Sequence, residues 1–533
     1  MMKRILCLAL CAAMVLPLFG CGTGDSAYVP TGNGLTWDDP TAPIATAPTQ
    51  APEVQQITMG FYPNESFNPL ISTDHTNRML IPLIYQGLFT IDRNYEVKPI
   101  LCKSYTMTDD MRTYLFYLED ATFSDGSRLE AKDVVATLNA AMESQVYQGR
   151  FRYVDEITAT PDGGVMIRLT TAYENFPILL DVPILKAEEL ERDRPLGTGP
   201  YRLDATTDGM RLTRRIEWWC KASLPIKADT IRLIAAEDAV DIRDEFEFGD
   251  INLVCANPCS NDYADYRCDY ELWDCEGGVF VYLACNLESP VFELQAVRAA
   301  LTHAIDRDQL AADYYKGFAR MATLPASPLS PYYNVGLAAR YGYNPTQFAQ
   351  AVITAQRAGF EVTLLVNRDD TIRLQVARDI GDMLTECGLT VIMSELDTEA
   401  YQKALRRGDY DLYLGQTKLS PNMDLSTFFS HDGALRYGGL NNVALNALCQ
   451  EALANQGNYY NLHQQVAGDG SITAIGFLNY ALYADRGLLS GISPSRDNAF
   501  YYDLGRTMED ARDAHNSVPE PTVPEETVPE TSE

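Results

Sequence analysis

The sequence predicts an α/β fold, and three observations carry that reading. Between Glu361 and Gly415 strand and helix patterns alternate as βαβαβ. Right-handed crossovers make the strands of such a unit parallel. The N-terminal half mixes strand and helix signals without that alternation, which predicts an α+β lobe. With 533 residues, the chain is long enough for two lobes with substantial cores.

Taken in chain order, the first segment is an export signal. Lys3 and Arg4 precede an apolar run from Ile5 to Phe19, interrupted at Pro17. A spanning helix needs roughly 20 apolar residues, so the run is short for a membrane crossing. Leu18-Phe19-Gly20-Cys21 resembles a bacterial lipobox, with bulkier Phe19 where the motif usually has a smaller residue; the resemblance implies lipidation of Cys21. Ordinary secretion with a cut a few residues later is the alternative. From Gly22 to about Pro52 the chain is rich in Gly, Asp, Thr, Pro and Ala, the composition of a solvated tether.

In the body, Thr113 to Leu118 and Val165 to Thr170 are expected as strands. Val134, Val135, Leu138, Ala141 and Met142 mark one face of a helix starting near Leu129. Val362 to Val366 is a nearly continuous apolar run, as expected of a strand covered on both faces. Ile372, Val376, Ile380, Met383, Leu384 and Cys387 then keep the spacing of one buried helix face, which Gly388 closes. Leu389 to Met393 is a second strand, Thr398 to Arg407 a second helix with Tyr401 and Leu405 inward, and Tyr410 to Leu414 a third strand. The chain ends in Val-Pro-Glu repeats at Val518, Val523 and Val528, an extended acidic tail.

A formal charge of −31 excludes a nucleic-acid partner and disfavours adhesion to an anionic membrane surface. Of twelve cysteines, Cys7 and Cys11 fall in the expected signal and Cys21 is the expected anchor. Cys255, Cys259, Cys268, Cys275 and Cys285 cluster without a Cys-x2-Cys pair. One or two disulfides are the first expectation for an exported chain; reduced packing residues and a metal site are the alternatives. The five His are scattered (His75, His303, His431, His463, His515), with no His-Glu-x-x-His, no Gly-x-Ser-x-Gly and no phosphate-cradling loop, so no enzyme is expected.

Several phrases then fall in a telling order: Asn68-Pro69-Leu70, Tyr85-Gln86-Gly87-Leu88-Phe89, Phe123-Ser124-Asp125-Gly126 leading to Lys132-Asp133-Val134-Val135, and Gly197-Thr198-Gly199-Pro200-Tyr201. Val297 to Arg307, Tyr343-Asn344-Pro345 and Gly408-Asp409-Tyr410-Asp411 complete the series. Together they resemble the extracellular solute-binding proteins of family 5, the peptide, dipeptide and nickel class. Their physical jobs are mostly structural: a positive φ at Gly126, capping by Asp306, and an element boundary at Gly199-Pro200.

The resemblance implies a two-lobed clamp whose chain crosses a hinge twice. Its segments are expected as signal 1–20, tether 21–53, lobe I 54–274, lobe II 275–477, a return to lobe I 478–504 and the tail 505–533. It implies a monomer, without a cofactor, held to the outer face of the membrane only by lipid. Such a clamp captures a peptide or other small molecule and passes it to the permease and ATPase of an ABC importer; a ligand-sensing surface clamp is the alternative. Candidate ligand-binding residues are Tyr62, Asn64, Trp218 and Trp219 in lobe I, with the two Trp expected on a strand, one ring per face. In lobe II they are Tyr282, Asn286, Asn367, Gln416 and Lys418. Peptide-binding relatives usually carry a Trp and then an Asp for the ligand ammonium near the last two. Here Gln416 and Lys418-Leu419-Ser420 stand instead, and Asp424 comes late. A cleft-facing Lys418 would repel an ammonium and attract a carboxylate or phosphate.

Overall fold

The computed structural model describes residues 56–500, apart from 208, 225–227, 262, 264, 490, 491 and 497. The signal, Cys21, the tether and the acidic tail lie outside the described residues, as do the outermost residues expected of lobe I.

One mixed sheet of eleven strands runs through the whole body. Numbered along the chain, they are β1 (Ile57–Phe61), β2 (Tyr201–Thr206), β3 (Gly209–Arg214), β4 (Thr230–Ala235), β5 (Leu253–Ala256), β6 (Tyr270–Cys285), β7 (Ala319–Met321), β8 (Glu361–Asn367), β9 (Thr390–Leu396), β10 (Leu412–Lys418) and β11 (Ile472–Asp485). Their spatial order is β9-β8-β10-β6-β11-β5-β1-β4-β3-β2, with β7 on β11. Strands β6 and β11 are long antiparallel partners shared by both lobes. Near Tyr270 and Asp485 they continue into β5 and lobe I; near Cys285 and Ile472 they continue into β10 and lobe II. The register breaks between Glu276 and Val279, so Gly277-Gly278 form a bulge where the chain passes between lobes.

In lobe II, β8 pairs in parallel with β9 and with β10, as the βαβαβ pattern requires. The intervening helices span Thr371–Glu386 and Thr398–Arg407. Val376, Ile380, Met383 and Leu384 pack inward, and Gly388 takes φ +100° just after the first helix. Strand β9 is the open edge, and Ile392 on it is 46% exposed. Arg307 staples this lobe together: its guanidinium donates to the carbonyls of Thr302, Ile305, Ala322 and Ala474.

Lobe I adds a four-stranded antiparallel sheet, which includes Thr113–Leu118 and Val165–Leu169, covered by the helix Ala131–Glu143. Within the Asp-Val-Val phrase, buried Asp133 accepts from the N–H groups of Glu130 (2.9 Å) and Ala187 (3.0 Å). Gly126 sits at φ +86°, the left-handed turn that its phrase demands.

The cysteines correct an expectation. None of the nine in the described residues is joined in a disulfide, and seven are buried. They lie in separate packing sites: Cys259 against the Phe318 carbonyl and Cys275 against that of Ser495. Burial pushes the thiols of Cys102, Cys255 and Cys259 up to about 12. No grouping of metal-ligating side chains occurs among the described residues.

Candidate functional site

A cavity of about 610 Å³ opens between the lobes. Its lobe I wall is built on the helix His75–Ile84, which starts because the Asp74 side chain accepts from the Asn77 N–H at 2.8 Å. Met79, Leu80, Ile81, Leu83 and Ile84 bury the helix, and His75, Arg78 and Pro82 contribute to the cavity lining. The helix end is fixed by Gly199, whose N–H donates to the Ile84 carbonyl at 2.9 Å. A Cβ at position 199 would fall 2.5 Å from the Ile84 carbonyl carbon, so only glycine allows this approach. Tyr85-Gln86-Gly87 then turn along the wall, and Gly87 lies so close to Asp181 that a Cβ would be 2.8 Å from its backbone.

Cations dominate the lining. Arg78, Arg150, Arg152, Lys418 and Arg496 face two carboxylates, Asp181 and Asp424. Arg150 pairs with Asp181. The guanidinium carbons of Arg78 and Arg150 lie 6.0 and 5.1 Å from the Tyr147 ring centroid. Arg78 also donates to the Ser72 carbonyl at 2.8 Å. Burial holds the Asp424 carboxyl above its ordinary range, opposed by hydrogen bonds from Ser426 and by the charge of Arg152. The side chain of His75 stacks on Tyr480 at 3.8 Å, and its Nε2 is 3.6 Å from Cys255 Sγ.

The lobes also touch directly. Arg152 meets Asp432 at 2.7 Å, and the Glu174 N–H donates to the Leu453 carbonyl at 2.9 Å. Asn261 donates to the Asp369 carbonyl and accepts from the Thr371 N–H at 2.9 Å. Arg496 donates to the Leu419 carbonyl. A site of this form can desolvate and orient a solute of modest size.

The family profile described as bacterial extracellular solute-binding proteins, family 5, middle segment, matches residues 96–434. The chain belongs to that family. The solute-binding protein is 24% identical over 381 residues to the oligopeptide-binding protein AppA of Bacillus subtilis, covering 65% of this chain and 69% of AppA. It is 25% identical over 352 residues to the glutathione-binding protein GsiB of Escherichia coli strain K12, covering 62% and 67%. Its fold is shared with the ABC transporter substrate-binding protein CtaP of Listeria monocytogenes, at TM-score 0.70 and 21% identity over 84% of this chain and 98% of that one. These relatives are solute-binding proteins, not enzymes. Among the described residues no helix is long and apolar enough to cross a membrane.

Of the residues singled out in the sequence, Lys418 lines the cavity. Gln416, two positions earlier on β10, is exposed and outside the lining. Tyr62 packs with the Ile242–Phe246 cluster and Asn64 is exposed. Trp218 and Trp219 occupy a turn after β3 rather than a strand. Trp218 is buried, donating to the Thr198 carbonyl at 2.9 Å; Trp219 donates to the Gln86 side chain at 3.0 Å, one layer behind the wall. Tyr282 is buried core, edge-on to Tyr413 and Phe428. Asn286 bridges the Gly408 and Tyr410 carbonyls, and Asn367 bonds Thr398. The phrase Tyr85 to Phe89, read as structural, supplies part of the wall. The pair Arg150 and Arg152 carried a signal that went unused: two cations two residues apart.

Proposed function

We propose that this chain is the extracellular capture subunit of an ABC importer. It encloses a small solute, a peptide or related compound, between its lobes and presents it to a membrane permease and ATPase. The observation that carries this reading is the cavity of about 610 Å³ lined from both sides of the β6–β11 crossing, in the size range of roughly 300–1,000 Å³ typical of small-ligand sites. Lobe I at 54–274, lobe II at 275–477 and a return at 478–504 are the segments that this reading assigns, with Cys21 as the lipid anchor and the chain acting as a monomer.

Mass spectrometry of solute released by denaturing the purified protein tests capture. One small molecule at near-stoichiometric yield is expected, and its uptake by cells should fall when the gene is deleted. Unchanged uptake would refute the import role. Cys21→Ser should release the protein from the membrane fraction; retention there would refute the anchor.

A further inference from the structure

Gln86 stands in the lobe I wall of the cavity, just beyond the end of the helix His75–Ile84. Its main chain is clamped from both sides. The Ile184 N–H donates to the Gln86 carbonyl at 2.8 Å, and the Gly199 N–H holds the Ile84 carbonyl just before it. Gly87, just after it, packs on the Asp181 backbone more closely than any side chain allows. The side-chain amide is oriented as well. Trp219 Nε1 can only donate, so the amide atom that it meets at 3.0 Å is Oε1, and Nε2 is left on the side away from Trp219. Trp219 is itself held edge-on by Trp218, with ring centroids 6.4 Å apart, and the Trp218 indole N–H is spent on the Thr198 carbonyl at 2.9 Å.

Gln86 is 1% exposed, and its Nε2 has no hydrogen-bond partner among the described residues. A buried amide donor is costly to leave unpaired, and native proteins seldom do so. The Gln86 Oε1 and main-chain carbonyl are both satisfied within the protein, whereas the space that the residue borders is the cavity. Charge narrows the missing acceptor. Two cations of the lining, Arg150 and Arg152, are already answered by Asp181 and Asp432. Gln86 is neutral, so an ionised group set against it gains no opposite charge there and loses its hydration. An uncharged oxygen gives up little hydration and gains the bond.

We infer that Gln86 is a specificity-determining residue of the capture site, its Nε2 donating to an uncharged amide carbonyl of an enclosed peptide. This inference rests on the capture reading above. The bond from Trp219 decides which atom of the amide is presented, so the site offers a donor and not an acceptor. A solute without a carbonyl at this point leaves that donor buried and unpaired, and selection works by that penalty as well as by attraction. The phrase Tyr85 to Phe89 then has two jobs: Gly87 makes the close approach to Asp181, and Gln86 reads the solute.

Capture and the role of Gln86 are tested in separate steps on the full chain. The wild type is assayed first and alone: small molecules released by denaturation are identified, and stripped protein is equilibrated with casein hydrolysate and re-isolated. A retained peptide is expected. It is resynthesised and titrated by calorimetry into the wild type, Gln86→Glu and Gln86→Met at about pH 8, where a Glu carboxyl is ionised, with circular dichroism checking each fold. Glu keeps an oxygen for Trp219 but has no donor; Met keeps the length of the side chain and has neither. Both variants should bind the peptide about tenfold or more weakly than the wild type. Wild-type affinity in Gln86→Glu with weak binding in Gln86→Met would reduce Gln86 to a partner of Trp219, overturning the inference while capture stands. Wild-type affinity in both variants would do the same. A wild type that releases a solute yet retains no casein peptide would overturn the amide carbonyl and leave capture standing. A wild type that neither releases a solute nor retains a peptide would overturn capture itself, and it shows this before any variant is made.

Discussion

Replacing Gly278 by alanine should damage the protein at the point where its chain passes between lobes. Gly278 has φ +65° in the β6 bulge, and its carbonyl accepts from the Leu419 N–H at 3.1 Å. A Cβ there would lie 2.5 Å from Arg496 Cζ and 2.6 Å from its Nη2. The left-handed backbone costs a non-glycine residue about 1–2 kcal/mol. The guanidinium, 5% exposed and bonded to the Leu419 carbonyl, must also give way, and losing a charged hydrogen bond costs about 1.5–3 kcal/mol. Gly278→Ala is therefore expected to lose about 2.5–5 kcal/mol. Urea unfolding of the wild type, Gly278→Ala, Arg496→Ala and the double variant measures this as a cycle. Truncating Arg496 removes the clash but leaves the backbone strain, so the double variant should be more stable than additivity predicts by about 1.5–3 kcal/mol, the hydrogen-bond term counted in both single variants. A Gly278→Ala loss under about 0.5 kcal/mol, or strict additivity, would refute the packing argument.

Three other outcomes are expected. His463 is fully buried, neither ring nitrogen has a hydrogen-bond partner among the described residues, and desolvation lowers its pKa to about 4. Its unfolded form takes up a proton near 6.5, so its contribution is complete above that pH and is lost as pH falls toward 4, by about 3 kcal/mol in all. His463→Leu should flatten the stability profile in that window, and an unchanged profile would exclude His463 as the source. Thiol labelling of the native protein should reach the partly exposed Cys220 and Cys268 before the buried seven, and intact mass without reductant should show no loss of hydrogens; a disulfide-linked peptide would contradict the free-thiol packing. Gly199→Ala would push a Cβ to 2.5 Å from the Ile84 carbonyl carbon, so it should cost about 1–3 kcal/mol and weaken solute binding through displacement of the cavity helix; wild-type values for both would show that the helix end adapts.

The lobe II layout was readable because each of its elements is periodic by itself. The helix from Thr371 shows its buried face in six spaced apolar residues, and β8 shows burial on both faces as a nearly continuous apolar run. The β6–β11 ribbon was hidden because Gly277-Gly278 interrupt its pattern at the very place where the strand continues. Trp218-Trp219 look like a strand by composition, yet β3 has ended at Arg214. The guanidinium of Arg215 there turns inward, to the carbonyls of Gly199, Thr122 and Phe123. Tyr282 and Asn286 sit where a clamp's chain enters its second lobe, but no local pattern says which face of β6 meets the cavity, and these two face the core. The cavity cations come from four distant stretches, near 78, 150, 418 and 496. A single Arg or Lys in sequence resembles any solvated surface residue; only tertiary folding makes the group a cluster.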